Sequence, residues 1–435
     1  MEWDDLFVCY CSRSTYQQII MKARIMTTVF FVFIFLFVDY YLFQAVSTAT
    51  ASLTPAWKQG LRYAFWIPTI LAIVALGWWM FGDPYRYSTQ FRTWVMTGLV
   101  TLYFSKIFGV LVLFIDDITR GVKWVSGLFN KSTTIGGSGV IPRSEFLSKA
   151  ALLATTVPLG AMAYGVISGA HDYRVRRKTV VLPNLPKAFD GIKVAQLSDI
   201  HSGSFFNKVA VKGGVDMVLK EKPDVILFTG DLVNNEASEV TEYIDVFSKL
   251  KAPMGVFSIT GNHDYGDYHR WSSLKEKQQN FRDLMEAHRI MGFDLLMNEN
   301  RILKQGGDEL AILGIENWGG RGFAKYGKLE QAYAGAEHVP VKLLLSHDPS
   351  HWDLQVRQLY PDIDLMLAGH THGFQFGIEI GGYQWSPSQY AYKQWAGLYQ
   401  EGSQYLYVNR GFGYLGYPGR IGMPPEITIL ELKRA

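Results

Sequence analysis

Long apolar runs separated by short polar loops fill the first 170 residues of the chain, whereas short apolar runs alternate with polar segments beyond Lys178. A helix that crosses a bilayer needs about 20 consecutive apolar residues, because the hydrocarbon core is about 30 Å thick. The run from Ile25 to Val46 meets this length, and Tyr63–Phe81 and Trp94–Ile115 resemble it in composition. The pattern therefore predicts a membrane-spanning first half and a separately folded second half.

Two charged residues interrupt these runs. Asp39 lies near the end of the first run beside Tyr40 and Tyr41, where aromatic side chains at a membrane surface make a carboxylate tolerable. The alternative interpretation is a buried functional charge. Lys106 lies in the middle of the third run, where it costs a few kcal/mol unless it reaches the surface or is paired.

A fourth apolar run, Phe146–Ala170, contains small residues and Pro158. It is weaker as a span and typical of an export-type segment. The preceding residues 142–147 resemble a twin-arginine export signal with one arginine missing, which would place the following domain outside the cytoplasm. Basic residues flank the run on both sides, so charge counting does not decide its orientation.

We expect four segments along the chain. They are an N-terminal polar segment at 1–24, a membrane region with three to four transmembrane helices at 25–170, a linker and domain entry at 171–190, and a C-terminal α/β domain at 191–435. The formal net charge of +3 disfavours a dedicated nucleic-acid surface. The two cysteines, Cys9 and Cys11, imply no disulfide framework.

Short strand-like and helix-like segments alternate in the second half, which implies βαβ units and a largely parallel sheet. The predicted strands are Gly191–Ser198, Pro223–Thr229, Met254–Thr260, Leu310–Ile315, Val341–Leu345 and Leu365–Ala368. The predicted helices are Asn207–Lys222, Ser238–Leu250 and Ser272–Met291.

Polar side chains follow several of these strands within one to three residues. Ligand sites in open α/β sheets collect at the carboxyl ends of strands, so these side chains should converge at one edge. Carboxylate and imidazole groups suit Mn²⁺, Fe²⁺ or Zn²⁺. Asp199 and His201 alternate on one segment that we expect to be extended, so that both point the same way. The residues that follow strands are Asp199, Asp231, Asn262, His347 and His370.

The ordered motifs resemble those of the calcineurin-like metallophosphoesterases. They are Asp199-x-His201, Gly230-Asp231, Gly261-Asn262-His263-Asp264, His347 and Gly369-His370-Thr371-His372. The resemblance implies a two-sheet α/β/β/α sandwich preceded by transmembrane helices, and a centre of two divalent metal ions. It also implies in-line attack on phosphorus.

The same resemblance implies a role for each motif residue. His263 would donate a proton to the leaving oxygen. Many relatives have an aspartate three residues after the bridging one to orient this histidine, whereas this chain has Asn234, which supplies no charge. Asp199, His201 and His372 would hold the first metal, Asn262, His347 and His370 the second, and Asp231 would bridge both.

The N-terminal helices and the C-terminal sequence are most similar to the membrane-tethered bacterial branch of this family. That branch implies an inner-membrane protein with a phosphorylated, lipid-linked substrate such as UDP-diacylglucosamine and a catalytic domain on the extracytoplasmic side. A cluster of aromatic residues between Trp385 and Tyr399 is interpreted either as strand packing or as a lip that contacts lipid. Replacement of Trp385 and Trp395 would separate these two interpretations.

Two other function classes remain open from the sequence. One is a nuclease or protein phosphatase on the same scaffold, although a nuclease needs several basic residues along its substrate. The other is a membrane binding or regulatory protein without catalysis. Loss of candidate ligands would favour that second class, and all of them are present.

Overall fold

The computed structural model describes residues 13–129, 143–320 and 322–435. Cys9, Cys11 and Pro142, the first residue of the export-like segment, lie outside this part of the chain. The chain divides into two compact units, Met1–Ala163 and Tyr164–Ala435.

The first unit is built of long apolar helices, and the four helices that begin in it are α1 (Arg13–Ala49), α2 (Pro55–Phe81), α3 (Thr89–Phe129) and α4 (Glu145–Ile167). All four are long and apolar enough to cross a membrane. Each apolar run of the sequence lies largely within one of them, so the expected transmembrane helices before the α/β domain are confirmed, and the described residues contain four of them. Helix α4 continues into the second unit at Tyr164.

A buried polar cluster lies inside the first unit. Asp39 is fully buried and forms an ion pair with Lys106. Its other carboxylate oxygen accepts hydrogen bonds from Thr69 at 2.7 Å and from Tyr103 at 2.9 Å. The interpretation of Asp39 as a carboxylate at the membrane surface is therefore wrong, because side chains of α2 and α3 pair with this carboxylate in the interior between the helices.

The second unit alternates strands with helices. Its helices are α5 (Lys208–Lys220), α6 (Ile244–Phe247), α7 (Leu274–Met291), α8 (Leu329–Tyr333), α9 (Arg357–Leu359) and α10 (Ser388–Ala391). Its strands are β1 (Arg174–Leu182), β2 (Lys193–Leu197), β3 (Val225–Phe228), β4 (Val256–Ser258), β5 (Asp294–Leu295), β6 (Glu299–Gln305), β7 (Asp308–Gly314), β8 (Lys342–Leu345), β9 (Leu365–Ala368), β10 (Ile378–Ile380), β11 (Tyr383–Trp385), β12 (Gly397–Glu401), β13 (Gln404–Val408) and β14 (Glu426–Arg434).

Two six-stranded mixed sheets form the centre of the second unit. Their orders are β1-β14-β2-β3-β4-β5 and β12-β13-β9-β8-β7-β6. Inward-facing residues of both sheets, such as Leu227 and Leu343, form one core between them. Two further cores lie on the outer faces, one under α5 to α7 and one under α8 and the helical turn Trp352–Val356. This arrangement confirms the expected α/β/β/α sandwich.

Two segments differ from the expectation. The expected linker, 171–190, contains β1, which pairs in parallel with β14 along nine residues. Charged side chains at its exposed positions masked the strand pattern, as is common for edge strands. The expected helix Ser238–Leu250 is a 3₁₀ helix, Ala237–Tyr243, followed by the single turn α6. Buried Val240, Tyr243 and Val246 recur every three residues, which is the 3₁₀ period.

Candidate metal centre

The candidate ligands follow neighbouring strand ends in both sheets. Strands β2, β3 and β4 are adjacent and parallel, and so are β8 and β9 in the other sheet. Their carboxyl ends therefore present the loops that follow at one edge of the sandwich. After these strands come, in the same order, Asp199, Asp231, Asn262, His347 and His370.

The structure brings six of the seven candidate ligands, all except Asn262, into two groups. In each group the potential ligand atoms lie within 4.8 Å of one another. All six side chains are largely or fully shielded from solvent. One group is Asp199, His201 and His372, and the other is Asp231, His347 and His370.

Asp231 lies between the two groups. Its Oδ2 is 3.1 Å from Nε2 of His347 in its own group and 3.5 Å from Nε2 of His201 in the other. Its Oδ1 accepts a hydrogen bond from the backbone N–H of His263 at 2.9 Å. One carboxylate oxygen is therefore within reach of both groups, as a ligand shared by two cations must be.

The hydrogen bonds of the histidines show which ring nitrogen faces the cluster. Nδ1 of His347 lies 2.8 Å from the carbonyl oxygen of Thr229, which can only accept, so Nδ1 carries the proton. Nδ1 of His201 donates to Oδ1 of Asn234 at 3.1 Å. In the neutral rings Nε2 is then left as a lone pair directed at the cluster.

Facing nitrogens lie close together in both groups. Nε2 of His201 is 3.1 Å from Nε2 of His372, and Nδ1 of His370 is 3.3 Å from Nε2 of His347. Lone pairs at these distances repel each other unless a cation or a proton lies between them. The donor set thus fits divalent cations that accept imidazole and carboxylate ligands.

Asn262 adds a further acceptor to this edge. Its side chain is buried, and Nδ2 donates to the hydroxyl of Tyr268 at 3.0 Å. Oδ1 has no hydrogen-bond partner among the described residues. A buried amide oxygen without a partner costs free energy, and coordination of a cation would satisfy it.

The backbone around the candidate ligands is unusual. Asp199 and His201 have φ values of 50° and 48°, and Asp231, His370 and His372 also lie in the left-handed region. The expectation that Asp199 and His201 lie on an extended segment is therefore wrong, although both side chains do enter one group. Left-handed non-glycine residues cost about 1–3 kcal/mol each and cluster at functional sites.

Two glycines permit this close approach. A Cβ on Gly369 would lie 2.2 Å from Oδ2 of Asp199, and a Cβ on Gly261 would lie 2.2 Å from Oδ1 of Asp231. Any larger residue would therefore displace a candidate ligand.

Burial and mutual charge shift the ionisation of the cluster. Burial raises the pKa of Asp199 to about 6. Burial alone would also raise the pKa of Asp231, but the charges of His347 and His263 outweigh it and hold that pKa well below its usual value. Burial lowers the pKa of His201 to about 3, so this ring is neutral near pH 7.

His347 behaves differently from the other histidines. Burial alone would lower its pKa, but the charge of Asp231 outweighs burial and raises the pKa to about 10. Near pH 7 a proton therefore occupies Nε2 of His347 when no cation is bound, and binding of a cation at Nε2 must release this proton.

Several residues that support the site were missed by the sequence reasoning. Asp264 is fully buried and accepts hydrogen bonds from the backbone N–H groups of Asp231 at 2.9 Å and Gly261 at 2.8 Å. Tyr392 lies 2.8 Å from Nε2 of His370 through its hydroxyl. The position of Asp264 beside Asn262 and His263 was a usable signal, whereas Tyr392 could not be distinguished from its aromatic neighbours.

His263 lies at the edge of the cluster. Its ring packs against the rings of His201 and Tyr268 with centroid distances of 5.0 Å and 4.7 Å. Nδ1 is 2.8 Å from the backbone carbonyl oxygen of Asn234, so the carbonyl, and not the side chain of Asn234, contacts this histidine. This hydrogen bond therefore does not depend on whether residue 234 is an aspartate or an asparagine.

An open cleft of about 370 Å³ adjoins the cluster at Asn262. Its walls combine aromatic side chains with one acidic group. The residues that line it are Asn262, Asp267, Tyr268, Gly322, Phe323 and Ala324.

Comparison with known proteins gives two family matches. Residues 23–170 match the family described as "Probable Calcineurin-like phosphoesterase, transmembrane domain", and residues 192–374 match the family described as "Calcineurin-like phosphoesterase". Together the two matches include all four apolar helices and every candidate ligand.

Individual relatives match about two thirds of the chain. The uncharacterized metallophosphoesterase YkuE of Bacillus subtilis is 30% identical over 288 residues, which are 63% of this chain and 94% of that protein. The phosphodiesterase YaeI of Escherichia coli is 27% identical over 296 residues, which are 67% of this chain and 100% of that protein. A transmembrane protein with metallophosphoesterase domain from Danio rerio is 29% identical over 294 residues, or 65% of this chain, and the match spans 63% of that relative's length.

The fold and the clustered ligands define a metal-dependent phosphoester hydrolase scaffold attached to membrane helices. The chain belongs to the calcineurin-like metallophosphoesterase family, whose members use divalent metals.

Proposed function

We propose that this protein is a membrane-anchored phosphoesterase that uses two divalent cations to hydrolyse phosphodiester or pyrophosphate bonds. The observation that carries the proposal is the position of Asp231, whose one carboxylate oxygen is within 3.5 Å of histidine nitrogens from both groups. A shared carboxylate between two imidazole sets is the arrangement that in-line displacement at phosphorus requires.

The proposed ligand sets follow the two groups. Asp199, His201 and His372 hold the first cation, while His347, His370 and the free amide oxygen of Asn262 hold the second. When bound, the cations stabilise negative charge that develops on the phosphoryl oxygens and lower the pKa of a coordinated water. The carbonyl of Thr229 and the amide of Asn234 accept from Nδ1 of His347 and of His201 and so aim Nε2 of both rings inward.

His263 is the proposed proton donor to the leaving oxygen. Its Nδ1 is occupied by the carbonyl of Asn234, so only Nε2 is available to the substrate. The ring must be an imidazolium to donate from Nε2 while Nδ1 keeps its bond to the carbonyl. The cleft beside Tyr268 and Phe323 is the proposed site for the organic part of the substrate.

The proposed substrate is a phosphorylated molecule that is lipid-linked or a nucleotide sugar, with UDP-diacylglucosamine as one example. Four membrane helices on the same chain support a substrate that is present at the bilayer. We also propose a bacterial inner-membrane location with the second unit on the extracytoplasmic side. Fusion of alkaline phosphatase or a fluorescent protein after Lys178 tests this side, and activity of the fluorescent fusion alone would reverse it.

Metal analysis and a substrate panel test the catalytic proposal. The purified full-length protein should contain two divalent ions per chain and hydrolyse bis(4-nitrophenyl) phosphate or a nucleotide-sugar pyrophosphate faster than 4-nitrophenyl phosphate. Asp231→Asn should abolish turnover, whereas Asp216→Asn, an exposed aspartate on α5, should leave it unchanged. Bound metal without turnover of any panel member would instead favour a non-catalytic binding protein.

A further inference from the structure

The hairpin that follows the last candidate ligand carries an unusual surface. Strands β10 and β11 form a separate two-stranded sheet joined by Gly381 and Gly382, both with positive φ as a two-residue hairpin turn requires. The hairpin begins six residues after His372. Ser386, just after it, donates a hydrogen bond to the carbonyl of Gly373 at 2.7 Å, which closes its base beside the ligand loop.

One face of this hairpin is apolar and exposed. Ile378 is opposite Trp385 and Ile380 is opposite Tyr383, so the four side chains share a face. Ile380 is 73% exposed and Tyr383 is 63% exposed. Phe376 extends the same face, with its ring 6.1 Å from that of Trp385. We call these five residues the apolar hairpin face.

The opposite face of the hairpin is attached to the body of the second unit. Glu379 forms a bidentate ion pair with Arg176 of β1, with one N–H···O distance of 2.7 Å. Gln384 donates to the same carboxylate at 2.6 Å. The polar face is thus held inward, and the apolar hairpin face is turned away from β1. Isolated two-stranded hairpins are marginally stable in water, so an exposed apolar face on one indicates a partner.

The end of helix α4 identifies that partner, since its last residues belong to the second unit. The backbone N–H of Arg420 donates to the carbonyl of Gly165 at 3.1 Å, and a Cβ on Gly169 would lie 2.1 Å from the carbonyl oxygen of Arg420. The next residue, Ile421, pairs with Gln375 and Gly377 at 2.8 Å and 2.9 Å. The apolar hairpin face therefore starts one segment away from the end of an apolar helix that can cross a membrane.

Charge near the hairpin also suits a bilayer surface. Arg174 and Lys178 are exposed and share the face of β1 from which Arg176 reaches the hairpin. Basic side chains beside apolar and aromatic ones are typical of segments that bind anionic lipid headgroups.

We propose that the apolar hairpin face lies in the headgroup region of the bilayer that holds α4. The occupant of this face is lipid. Phe374 lies two residues after His372, and the hairpin begins six residues after it. This docking therefore places the metal groups beside the membrane surface, where it favours phosphoesters carried by lipids. The consequence for the substrate depends on the proposed hydrolase function, but the docking itself does not.

Fluorescence quenching tests the docking without any assay of turnover. In full-length protein with Cys9 and Cys11 replaced by serine, Ile380→Cys is labelled with bimane and reconstituted in phosphatidylethanolamine and phosphatidylglycerol vesicles with doxyl-labelled lipid. Fluorescence at position 380 should fall by roughly twofold or more relative to vesicles without doxyl groups. The matched control is Val209→Cys, which is 82% exposed on α5 and should not be quenched.

Equal quenching at both positions, or none at 380, would overturn the proposal. In a further outcome, position 380 is shielded from iodide in both detergent and vesicles while lipid does not quench it. That result would show that the face packs against protein, and it would also overturn the proposal.

Kinetics then test the consequence for substrate choice. Ile380→Ser with Tyr383→Ser should reduce turnover of a fluorescent phospholipid in vesicles by roughly tenfold while bis(4-nitrophenyl) phosphate turnover stays unchanged. The control, Val209→Ser with Leu274→Ser, removes two exposed apolar side chains elsewhere in the unit and should change neither. If no substrate is turned over by the wild type, the proposed function fails, while the quenching result still decides the docking.

Discussion

Oδ1 of Asn234 lies 3.1 Å from Nδ1 of His201, so the side chain of residue 234 supports a candidate metal ligand. The same amide also exchanges hydrogen bonds with Ser204, including one from Nδ2 at 3.0 Å. The hydrogen bond between residue 234 and His263 comes from the backbone carbonyl of Asn234, which lies 2.8 Å from Nδ1 of His263. The replacement of a carboxylate by an amide at this position therefore acts on the first ligand group and leaves the bond to His263 in place.

Asn234→Ala should weaken metal binding at the first group. Loss of the acceptor frees the ring of His201 to rotate, and removal of such a supporting partner typically lowers metal affinity by about 10–100-fold. Competition with a fluorescent chelator on the full-length protein measures the affinity. Ser204→Ala, which leaves the bond to His201 intact, is the control. Unchanged affinity in the alanine variant would refute the assigned role of Asn234.

His263→Gln should make turnover depend on the leaving group. A 4-nitrophenolate leaves without protonation, so its release should fall little, whereas an alkyl ester needs the proton and should slow by about 10²–10⁴-fold. Metal content should stay the same, because the candidate ligand groups of the described residues do not include this histidine. An equal loss on both esters would argue that His263 stabilises charge and does not transfer a proton.

Asp264→Asn should damage both ligand loops together. The carboxylate accepts from the backbone N–H groups of Asp231, Leu232 and Gly261, at 2.8 to 2.9 Å. An amide presents one N–H₂ group toward these donors, which leaves at least one buried N–H without a partner. We expect a loss of about 2 kcal/mol or more in stability and weaker metal binding, measured by hydrogen exchange and metal analysis. Asp283→Asn, on the exposed side of α7, should have no effect.

The alternation of strands and helices was predictable because it depends on local signals, whereas the two-sheet sandwich and the ligand sets were implied by the resemblance of the motifs to a known family. Buried strands such as Leu365–Ala368 end at a glycine, and candidate ligands follow directly. The left-handed backbone at Asp199 and His201 could not be read from the sequence, since it arises from contacts between loops far apart in the chain. For example, the backbone N–H of Gly413 donates to the carbonyl of Asp199 at 2.8 Å.

The sequence left two interpretations open for the aromatic residues between Trp385 and Tyr399, internal packing and a lip that contacts lipid. Trp395 is buried and packs with Met423, as the first interpretation requires. Tyr and Trp suit both a core and a membrane surface, so composition cannot assign them. The pairing of β10 with β11 shows that Tyr383 and Trp385 share one face of the hairpin, which composition alone could not show.

Stability should fall in acid because of His288. This ring is fully buried beside Phe228 and Phe293, its Nδ1 is 3.0 Å from Oγ of Ser258, and burial lowers its pKa to about 3. Below an unfolded pKa of about 6.5 the unfolded chain binds a proton that the folded chain does not, so stability decreases as the pH falls toward 3.

The expected contribution of His288 is about 1.4 kcal/mol per pH unit within this window. His288→Leu should reduce the pH slope of unfolding by that amount, measured from hydrogen exchange of α7 amides at several pH values. The exposed His338→Leu is the control and should leave the slope unchanged. A slope that is the same in all three proteins would show that His288 does not link folding to pH.

The ion pair of Lys106 with Asp39 should stabilise the helices of the first unit only as a pair. Lys106→Met leaves a buried carboxylate without its counter-charge, which typically costs about 3–5 kcal/mol, although Thr69 and Tyr103 still donate to it.

Asp39→Asn combined with Lys106→Met removes both charges and should recover most of the loss, because an amide can still accept those two hydrogen bonds. Thermal unfolding of the detergent-purified protein measures the difference, with the exposed Lys123→Met as control. If the double variant is no more stable than Lys106→Met alone, the cost comes from lost packing of the lysine stem, and the charges of this pair do not hold α1 and α3 together.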